Sequence, residues 1–447
     1  ATLLDQAVAL HGQGRLAEAE KLYRQLVASE PDNVILLINW GHALNGLRQF
    51  AAALAAYDRA LALDSSHIFL HSVRGDVLQW LLRYEEALQS YDHILNHAPD
   101  HAEGWNSRGL ALQNQGRLEE ALQSYRRAEM LDPLLAAARL NRGLCHLLMQ
   151  DFAAGLPLYE WRKHMPQPME ARTYRQPLWT GADDIRGRVL FAYIEQGLGD
   201  AIQFYRYVSF ALARGARVIL SVPDRLVALL KNASPAVELI GSGETPARFD
   251  FHIPLASIPL AVGMRVDTIP ASGPYLRAEP DRVTRWKSRL GSHGFRIGIA
   301  WQGKEEMRGL EGKSFPVAAL ERIADLPDIR LISLQKGEGV EQLAHLPAGT
   351  KVETHEFDEG PDAFLDTAAM MEVCDLVISA DTAPAHLAGA LGVPTWIALK
   401  HVPDWRWFLG RNHSPWYPSL RLFRQQVMGD WDSVFTAMAA ELISRRS

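Results

Sequence analysis

The sequence predicts a helical solenoid followed by two α/β domains with parallel sheets. In the first third of the chain, small and aromatic residues recur with a period of 34 residues. From residue 189 onward, short apolar strand signals alternate with helix signals. A Pro- and Gly-rich stretch at 270–280 interrupts this alternation, which then restarts and so indicates two successive α/β domains.

The 34-residue period is defined by alanine, tyrosine, glycine and proline. A tyrosine follows each periodic alanine after four residues, in the pairs Ala19 and Tyr23, Ala53 and Tyr57, Ala87 and Tyr91, Ala121 and Tyr125. The other periodic positions are Gly41, Gly75, Gly109, Gly143, Pro31, Pro99 and Pro133, with Ser65 standing in once. Small residues let paired helices approach closely, the tyrosine fills the gap between neighbours, and proline ends each second helix. The pattern resembles the tetratricopeptide repeat over residues 1–165, where Gly155 and Tyr159 mark a weaker fifth unit that caps the array.

A solenoid of this kind exposes a concave groove lined by the first helix of each pair. On the tetratricopeptide register, the amides expected to face this groove are Asn45, Gln79, Asn106, Gln113 and Asn114. Primary amides both donate and accept hydrogen bonds, so they suit the backbone of an extended protein or peptide partner. A solvated polar face explains the same residues equally well.

Residues 166–187 read as a linker or a wrapped arm, because Pro and Gly interrupt any helical pattern there. The predicted strands are 189–194, 217–222, 237–240, 249–254, 295–301, 329–334, 352–357, 376–379 and 395–399. The predicted helices between them include 200–213, 226–232 and 317–326, and a final helix over 431–444 is expected to cross back to an earlier domain. We therefore expect two facing, doubly wound Rossmann-like domains over 166–280 and 281–447, with a cleft between them.

The segment 376–398 places polar side chains where a buried strand meets the start of a helix. Asp381, Thr382 and His386 lie at this junction, and ligands bind at the carboxyl edge of open parallel sheets. The first N–H groups and the positive dipole end of the helix suit an anion. The segment therefore favours a nucleotide-type ligand, although simple capping of the helix by Asp381 or Thr382 is the alternative.

The corresponding turn of the first α/β half is Gln196-Gly197-Leu198-Gly199-Asp200. Gly197 and Gly199 permit positive φ and the close approach of a ligand to the backbone. Asp200 at the helix start is either a first-turn acid that suits the helix dipole or a general base for an acceptor hydroxyl. The turn lacks the third glycine and the downstream acid of a dinucleotide fingerprint, which disfavours NAD or FAD.

Other strand ends of the second half carry residues suited to a diphosphate. Gln302 and Lys304 follow one predicted strand, and Gln335 and Lys336 follow the next. A lysine can neutralise phosphate charge while Thr382 and neighbouring N–H groups bind the oxygens. A single lysine at such a position is more often a surface charge, and the convergence of several strand ends favours a site for the group as a whole.

Three weaker features have structural alternatives. Asp430-Trp431-Asp432 has the spacing of a metal-binding D-x-D, but it stands at the start of the last helix, where capping is the preferred interpretation. The aromatic segment 401–417 suits sugar or base stacking, or equally the pinning of a loop against the other domain. His252 near a strand end suits an acceptor site or a structural histidine.

Together, G-L-G-D in the first half and D-T-A-x-A-H-L-A-G-A-L-G-x-P in the second resemble the heptosyltransferase-related glycosyltransferases of GT-B architecture. The whole chain is similar to bacterial proteins that fuse tetratricopeptide repeats to such a domain. The resemblance implies an inverting, metal-independent transfer from a nucleotide sugar, with no cofactor. It implies Asp200 as the base, Lys304 as the phosphate partner, and a donor site formed by Asp381, Thr382, Ala383 and His386. Ala383-Pro384 replaces the Gly-rich turn of typical heptosyltransferases, so ADP-heptose is not implied as the donor.

Composition narrows the class of protein and of partner. The net charge of −6 and the pI near 6.3 favour neither nucleic acid nor an anionic membrane. Two widely spaced cysteines fit a reducing compartment, and no apolar run or leader pattern suggests a membrane span or export, so we expect a cytoplasmic protein. The predicted function is sugar transfer to a protein or peptide acceptor presented by the repeats. The alternatives are a non-catalytic repeat scaffold with a degenerate nucleotide-binding module, and an enzyme acting on a lipid-linked or oligosaccharide acceptor.

Overall fold

The computed structural model describes residues 2–165, 172–231, 233–271, 273–303 and 312–446. The described residues form two compact units, of which the first comprises residues 2–145 and the second begins at residue 146. This packing boundary falls within the predicted fifth repeat.

The first unit is a series of paired helices. They are α1 (Leu3–Gly12), α2 (Leu16–Ser29), α3 (Val34–Gly46), α4 (Phe50–Leu63), α5 (Ile68–Trp80), α6 (Tyr84–His97), α7 (Ala102–Asn114), α8 (Leu118–Leu131) and α9 (Ala136–Leu148), whose last turn belongs to the second unit. Their buried residues form a continuous core that runs through successive pairs.

Three successive repeats each contain a close contact between a glycine and a tyrosine, in the pairs Gly41 and Tyr57, Gly75 and Tyr91, Gly109 and Tyr125. A Cβ atom built at Gly75 would lie 2.6 Å from the ring of Tyr91, and one at Gly109 would lie 2.6 Å from the ring of Tyr125. Both tyrosines are fully buried. The two periodic residue types therefore recur together because the ring of one occupies the space left by the missing side chain of the other.

Two further structural features recur with the same period, a set of hydrogen bonds from arginine and a turn residue with positive φ. Arg74 bonds Asp58 of the preceding repeat at 2.6 Å and Ser90 of its own at 2.8 Å. Arg108 makes the same pair of bonds one repeat later, to Asp92 and Ser124. In the first unit, the turn between the two helices of a pair holds one residue at positive φ, in the series Gly14, Arg48, Leu82 and Gly116.

The second unit contains two parallel sheets. The first has the order β3-β2-β1-β4, with β1 (Val189–Tyr193), β2 (Arg217–Val222), β3 (Val237–Gly241) and β4 (Phe251–Pro254). The second has the order β10-β9-β8-β5-β6-β7, with β5 (Phe295–Ala300), β6 (Ile329–Ser333), β7 (Val352–Glu353), β8 (Leu376–Ser379), β9 (Thr395–Leu399) and β10 (Leu420–Arg424). Every paired strand runs parallel to its neighbour.

The helices of the second unit connect these strands. They are α10 (Phe152–Tyr159), α11 (Leu198–Tyr205), α12 (Val208–Ala213), α13 (Asp224–Lys231), α14 (Ile258–Ala261), α15 (Pro280–Leu290), α16 (Glu321–Ala324), α17 (Leu365–Val373), α18 (Ala383–Leu391) and α19 (Trp431–Arg446). The predicted helix 200–213 is divided into α11 and α12, and the predicted strand 352–357 shrinks to two residues. The sequence pattern missed β10, because arginines alternate with its apolar residues and it follows an irregular aromatic segment.

The prediction that the last helix crosses back to an earlier domain is wrong. Val434, Phe435 and Met438 of α19 are buried in the core of the second sheet, together with Phe315 and Trp396. At the end of the helix, the Arg446 guanidinium lies 5.4 Å from the ring of Phe295. The apolar face of α19 covers its own sheet and so completes the second α/β half.

The described part of the predicted arm packs on the first sheet. Leu178 forms a parallel bridge with His252 of β4, and Tyr174 contacts the rings of Phe191 and His252. Arg172 donates to Ser221 at the end of β2 and lies 5.3 Å from the ring of Tyr193. The segment 172–178 is therefore a packed arm of the first α/β half.

Candidate functional site

The two sheets are joined at the point where α11 meets α18. A Cβ atom at Gly199, in the first turn of α11, would lie 3.3 Å from Cα of Ala383 and 3.1 Å from Cδ2 of His386. Ala383 is the first residue of α18. The amino ends of two helices, each following the central strand region of its own sheet, therefore meet in one place.

Of the two glycines in the first turn, Gly199 makes room for the contact with α18. Gly197 is the N-cap of α11 with φ −69° and ψ 172°, and neither Gly197 nor Gly199 has positive φ. A Cβ at Gly197 would have Asp200 as its nearest neighbour, at an ordinary 3.6 Å. The positive φ that glycine permits is used at neither position, because Gly197 is extended and Gly199 already lies in the first turn of α11. Only Gly199 is confined by α18.

Asp200 is ion-paired with Arg406 of the opposite half. Arg406 also donates to the Gln203 side chain at 2.6 Å and to Asp404 at 2.9 Å. The side chains of Asp200 and Arg406 are 26% and 10% exposed. One guanidinium thus joins α11 to the loop that follows β9.

Burial raises the pKa of Asp200 above its ordinary value, since desolvation disfavours the carboxylate. The positive charge of Arg406 opposes this rise, while the nearby Asp404 adds to it. Among the groups that favour the ionised form of Asp200, Arg406 has the largest effect.

Asp381 follows β8 on the other wall of the site. Burial, with a contribution from the negative charge of Asp404, raises its pKa to about 6. Lys313 and Arg406 act in the opposite direction. The positive charge of Lys313 also lowers the pKa of Asp200. Lys313 lies beside the end of β5, since its Cε would be 3.5 Å from a Cβ built at Gly303. The site therefore brings together acidic and basic groups from the segments that follow four strands, β1, β5, β8 and β9.

Thr382 occupies the N-cap position of α18 without a side-chain capping bond. Its Oγ1 lies 3.4 Å from Oγ of Ser379 and 3.5 Å from the carbonyl oxygen of Ala380. The alternative in which Thr382 serves only to cap the helix is therefore unsupported. Pro384 fits the first turn of α18, where a backbone N–H is dispensable.

His386 faces the protein interior. Its Nδ1 lies 3.1 Å from the Tyr417 hydroxyl, its ring stacks on Trp407 at 5.3 Å, and the residue is 5% exposed. Burial, together with Arg406 and Arg206, holds its pKa well below the ordinary value, so the imidazole is neutral. The predicted donor-binding histidine thus packs beneath the junction of α11 and α18.

Gln302 and Gln335 bond each other rather than projecting from the sheet edge. Gln335 is 8% exposed, accepts the N–H groups of Trp301 and Gln302, and donates to the carbonyl oxygens of Gln302 and Glu338. The Gln302 side-chain oxygen accepts a bond of 2.6 Å from Gln342. The two predicted donor-binding amides therefore hold the loops after β5 and β6 in place.

The two lysines predicted for phosphate binding differ in outcome. Lys336 donates to the carbonyl oxygens of Phe357 and Asp358, and so ties its loop to the segment after β7. Lys304 lies outside the described residues. The lysine that the described residues bring to the site is Lys313, which no sequence pattern indicated.

The aromatic segment 401–417 packs inward, which favours its interpretation as a pinned loop. Trp405, Trp407 and Phe408 are nearly fully buried. Phe152 of α10 contacts the rings of Trp405 and Trp416 at 6.2 Å. Arg406 and Asp404 belong to this segment. In the sequence, the alternation of charged and aromatic residues in Asp404-Trp405-Arg406-Trp407 indicates a charged pair within an aromatic cluster.

Two predicted features have structural explanations. Asp430 accepts the Ser433 N–H in the first turn of α19, as the capping interpretation predicts, and Asp432 pairs with Arg322. His252 is 9% exposed and lies 3.3 Å from the Tyr193 hydroxyl. Among the residues that the structure describes, no group of three or more His, Cys, Asp or Glu is arranged to hold a metal ion.

The predicted groove amides are divided between interior and surface. Gln79 is fully buried and donates to the Tyr91 hydroxyl at 2.9 Å, and Asn114 is 7% exposed, so the prediction that both face a groove is wrong. Gln113 accepts from Tyr125 at 3.0 Å, and Asn106 accepts from Asn141 at 3.0 Å, and both remain half-buried. A glutamine twelve residues before the repeat tyrosine reaches the hydroxyl of that tyrosine, which draws its amide inward.

Comparison with known proteins identifies the first unit. The family model described as tetratricopeptide repeat matches residues 4–68 and 102–133. The chain carries tetratricopeptide repeats. Repeats of this kind present surfaces for protein partners. In the described part of the chain, no helix is both long and apolar enough to cross a bilayer.

One curated relative extends beyond the repeats. Protein FlbA of Caulobacter vibrioides is 27% identical over 333 residues, which are 69% of this chain and 55% of that protein. The chain thus spans about half the length of the relative it matches.

Three solved structures that are similar to the chain each cover little more than a third of it. MamA of Desulfovibrio magneticus is 21% identical with a TM-score of 0.34, covering 37% of this chain and 96% of that one. A tetratricopeptide repeat protein of Parabacteroides merdae is 22% identical with a TM-score of 0.34, covering 37% of this chain and 66% of its own. YrrB, described as a repeat protein with an unusual peptide-binding site, is 20% identical with a TM-score of 0.32, covering 36% and 82%.

Proposed function

We propose that the second unit is a GT-B glycosyltransferase that moves a sugar from a nucleotide sugar to an acceptor hydroxyl. The observation that carries the proposal is the contact of α11 with α18, which brings Asp200 and Asp381 into one charged site with Lys313 and Arg406. Both carboxyl groups have raised pKa values, and such groups cluster at functional sites. The paired motifs of the two turns, which resemble those of heptosyltransferase-related enzymes, add to this support.

In the proposed reaction, Asp200 takes the proton of the acceptor hydroxyl as its oxygen attacks the anomeric carbon. The bond between that carbon and the phosphate oxygen breaks with inversion, and the nucleotide leaves with the bonding electron pair. Lys313 and the N–H groups at the start of α18 lower the energy of the charge that develops on the leaving phosphate. The reaction needs neither a metal ion nor a cofactor.

The proposed acceptor is a protein or peptide bound by the tetratricopeptide repeats. Extended peptides fit the concave face of such solenoids, and the half-buried amides of Asn106 and Gln113 are suited to backbone contacts.

A non-catalytic scaffold is the second candidate, because several predicted ligand contacts are already made within the protein. Asp200 is bound by Arg406, and Gln335 and Lys336 bond backbone carbonyl oxygens. On this alternative, the α/β halves are a degenerate nucleotide-binding module beside the protein-binding repeats.

Two measurements separate these candidates. A panel of nucleoside mono- and diphosphates and their sugars is tested for a rise in the thermal unfolding temperature, since a ligand that binds the folded state stabilises it. For a nucleotide sugar that binds, release of the free nucleotide is then followed in wild type, Asp200→Asn and Asp267→Asn. Asp267 is an exposed carboxylate paired with Arg265 and serves as the matched control.

The proposal predicts that Asp200→Asn keeps the thermal shift and loses at least about 100-fold in nucleotide release, the contribution of a general base, while Asp267→Asn matches wild type. If Asp200→Asn turns over as fast as wild type, Asp200 is not the base. Failure of every nucleotide to shift the unfolding temperature would favour the scaffold.

A further inference from the structure

Arg406 is a buried cation whose hydrogen-bond donors are shared between the two α/β halves. It lies in the loop after β9, is 8% exposed, and bonds Asp404 of its own loop. Across the junction it bonds Asp200 and the side chain of Gln203, both on α11. Its guanidinium carbon also lies 4.8 Å from the ring of Trp405 and 5.4 Å from the ring of Phe204.

A buried carboxylate is unfavourable unless a positive charge or hydrogen bonds compensate for its lost hydration. Burial and the negative charge of Asp404 disfavour the ionised form of Asp200. Arg406, a hydrogen bond from the backbone of Gly197, and Lys313 favour it. Arg406 is the cation in direct contact. Its bond engages Oδ1, while Oδ2 lies beside the turn at Gly197.

We propose that Arg406 is a positioning residue that keeps Asp200 ionised and directs its second carboxylate oxygen toward the acceptor hydroxyl. This inference rests on the proposed function, in which Asp200 is the base. Because Asp200 and Arg406 belong to different halves, Arg406 can pair with Asp200 only when α11 and α18 are docked. The ion pair thus links the arrangement of the two halves to the reactivity of the site.

Arg206 offers a matched control for this role. It follows α11 and crosses the same junction in the opposite direction, donating to the carbonyl oxygens of Trp416 and Pro270 and to the Tyr275 hydroxyl. It is 6% exposed, and the hydrogen bonds described for it go to carbonyl and hydroxyl oxygens. Replacement of Arg206 therefore loosens the same junction without removing the counter-ion of Asp200.

The experiment compares wild type with Arg406→Gln, Arg406→Lys and Arg206→Gln by the pH dependence of kcat/KM. In the wild type, activity rises with pH as the base loses its proton. Loss of an adjacent positive charge shifts a carboxyl pKa by about one to three units, so Arg406→Gln should move this rise upward by that amount. Arg406→Lys should restore part of the shift, and Arg206→Gln should lower stability with the rise unmoved.

The inference is overturned if the pH at which kcat/KM rises is the same in Arg406→Gln as in wild type, or if Arg206→Gln shifts it by as much as Arg406→Gln does. Either result leaves the assignment of Asp200 as the base intact. If Asp200→Asn retains full turnover, the proposed function fails instead.

A readout without turnover tests the ion pair directly. The unfolding temperatures of wild type, Asp200→Asn, Arg406→Gln and the double variant are measured between about pH 4.5 and 8, which spans the ionisation of a carboxyl group with a raised pKa. The loss of stability caused by Arg406→Gln should increase with pH, because ionising Asp200 in the folded state costs more free energy when the cation is missing. In the Asp200→Asn background this increase should be smaller. Some pH dependence should remain in the Asp200→Asn background, because Asp404 also pairs with Arg406. Equal growth in both backgrounds would contradict the proposed pairing.

Discussion

Gly199 lies against Ala383 so closely that a methyl group on its Cα would make a tight contact. A Cβ there would be 3.3 Å from Cα of Ala383, which is backbone and belongs to the first turn of a buried helix. The approach of the two halves of the site is thus limited by one missing side chain.

Gly199→Ala should therefore separate α11 from α18. We expect a loss of about 1–3 kcal/mol in the free energy of unfolding, as for other overpacked contacts, and weaker nucleotide binding in the thermal-shift assay. Gly197→Ala is the control, because its Cβ would meet nothing closer than 3.6 Å and its φ of −69° suits alanine. Equal effects of the two substitutions would show that the contact with α18 is unimportant.

Asp381→Asn should make the protein more stable at about pH 7.5 and leave it unchanged near about pH 4, the ordinary pKa of an aspartate. The pKa of about 6 is raised above the unfolded value, so the folded state loses stability as the pH rises between about 4 and 6. Asparagine removes this loss, which is on the order of 1 kcal/mol for each pH unit by which the folded state raises the pKa. The measurement is the unfolding temperature as a function of pH.

Asp375→Asn should behave with the opposite sign. Hydrogen bonds and ion pairing with Arg296 outweigh burial and hold the pKa of Asp375 below its ordinary value. Its stabilisation is therefore present above about pH 4 and is lost as the pH falls through the folded pKa. A variant with asparagine at this position that is most destabilised at acidic pH would contradict the assignment.

Gly75→Ala should destabilise the repeats by about 1–3 kcal/mol, because its Cβ would lie 2.6 Å from the buried ring of Tyr91. Gly12→Ala in α1 has nothing within 4 Å of the new Cβ and should gain about 0.5–1 kcal/mol from the helix preference of alanine. Chemical denaturation of the two variants gives the comparison. Equal destabilisation of the two variants would show that the contact with Tyr91 does not explain the effect at Gly75.

Gly116→Ala tests the turn between the helices of a repeat. Gly116 has φ +78°, a conformation that costs a residue with a side chain about 1–2 kcal/mol. Gly116→Asn should lose less, because asparagine tolerates this region better than alanine does. The midpoint of thermal unfolding distinguishes them, and an alanine variant as stable as wild type would argue against strain at this turn.

Local patterns predicted the repeat helices, most strands and the positions of the two site turns. Arg217–Val222, Leu376–Ser379 and Thr395–Leu399 were predicted with the bounds observed, since buried parallel strands are short apolar runs between turn residues. Leu420–Arg424 was missed because a strand at the edge of the sheet carries charged residues.

The assignment of side chains to roles was less successful, because a polar residue at a strand end looks the same whether it faces a ligand or the protein. Gln335 and Lys336 stand where ligand contacts are expected, yet both bond backbone carbonyl oxygens. Gln79 stands where a groove amide is expected, yet it reaches a tyrosine of the same repeat. The partner of Gln79 lies on the other helix of its pair, and that of Lys336 lies in a loop that is distant in sequence, so local patterns do not predict either contact.

The sequence by itself determined the period of the repeats, the alternation of strands and helices, and the placement of Asp200 and Asp381 at helix starts. Each of these follows from interactions over a few residues or from a regular spacing. Only the tertiary structure decided that Arg406, 206 positions from Asp200, supplies the counter-ion, and that Gly199 admits α18. Burial and Coulomb energy depend on separation in space, which the spacing of residues along the chain does not contain.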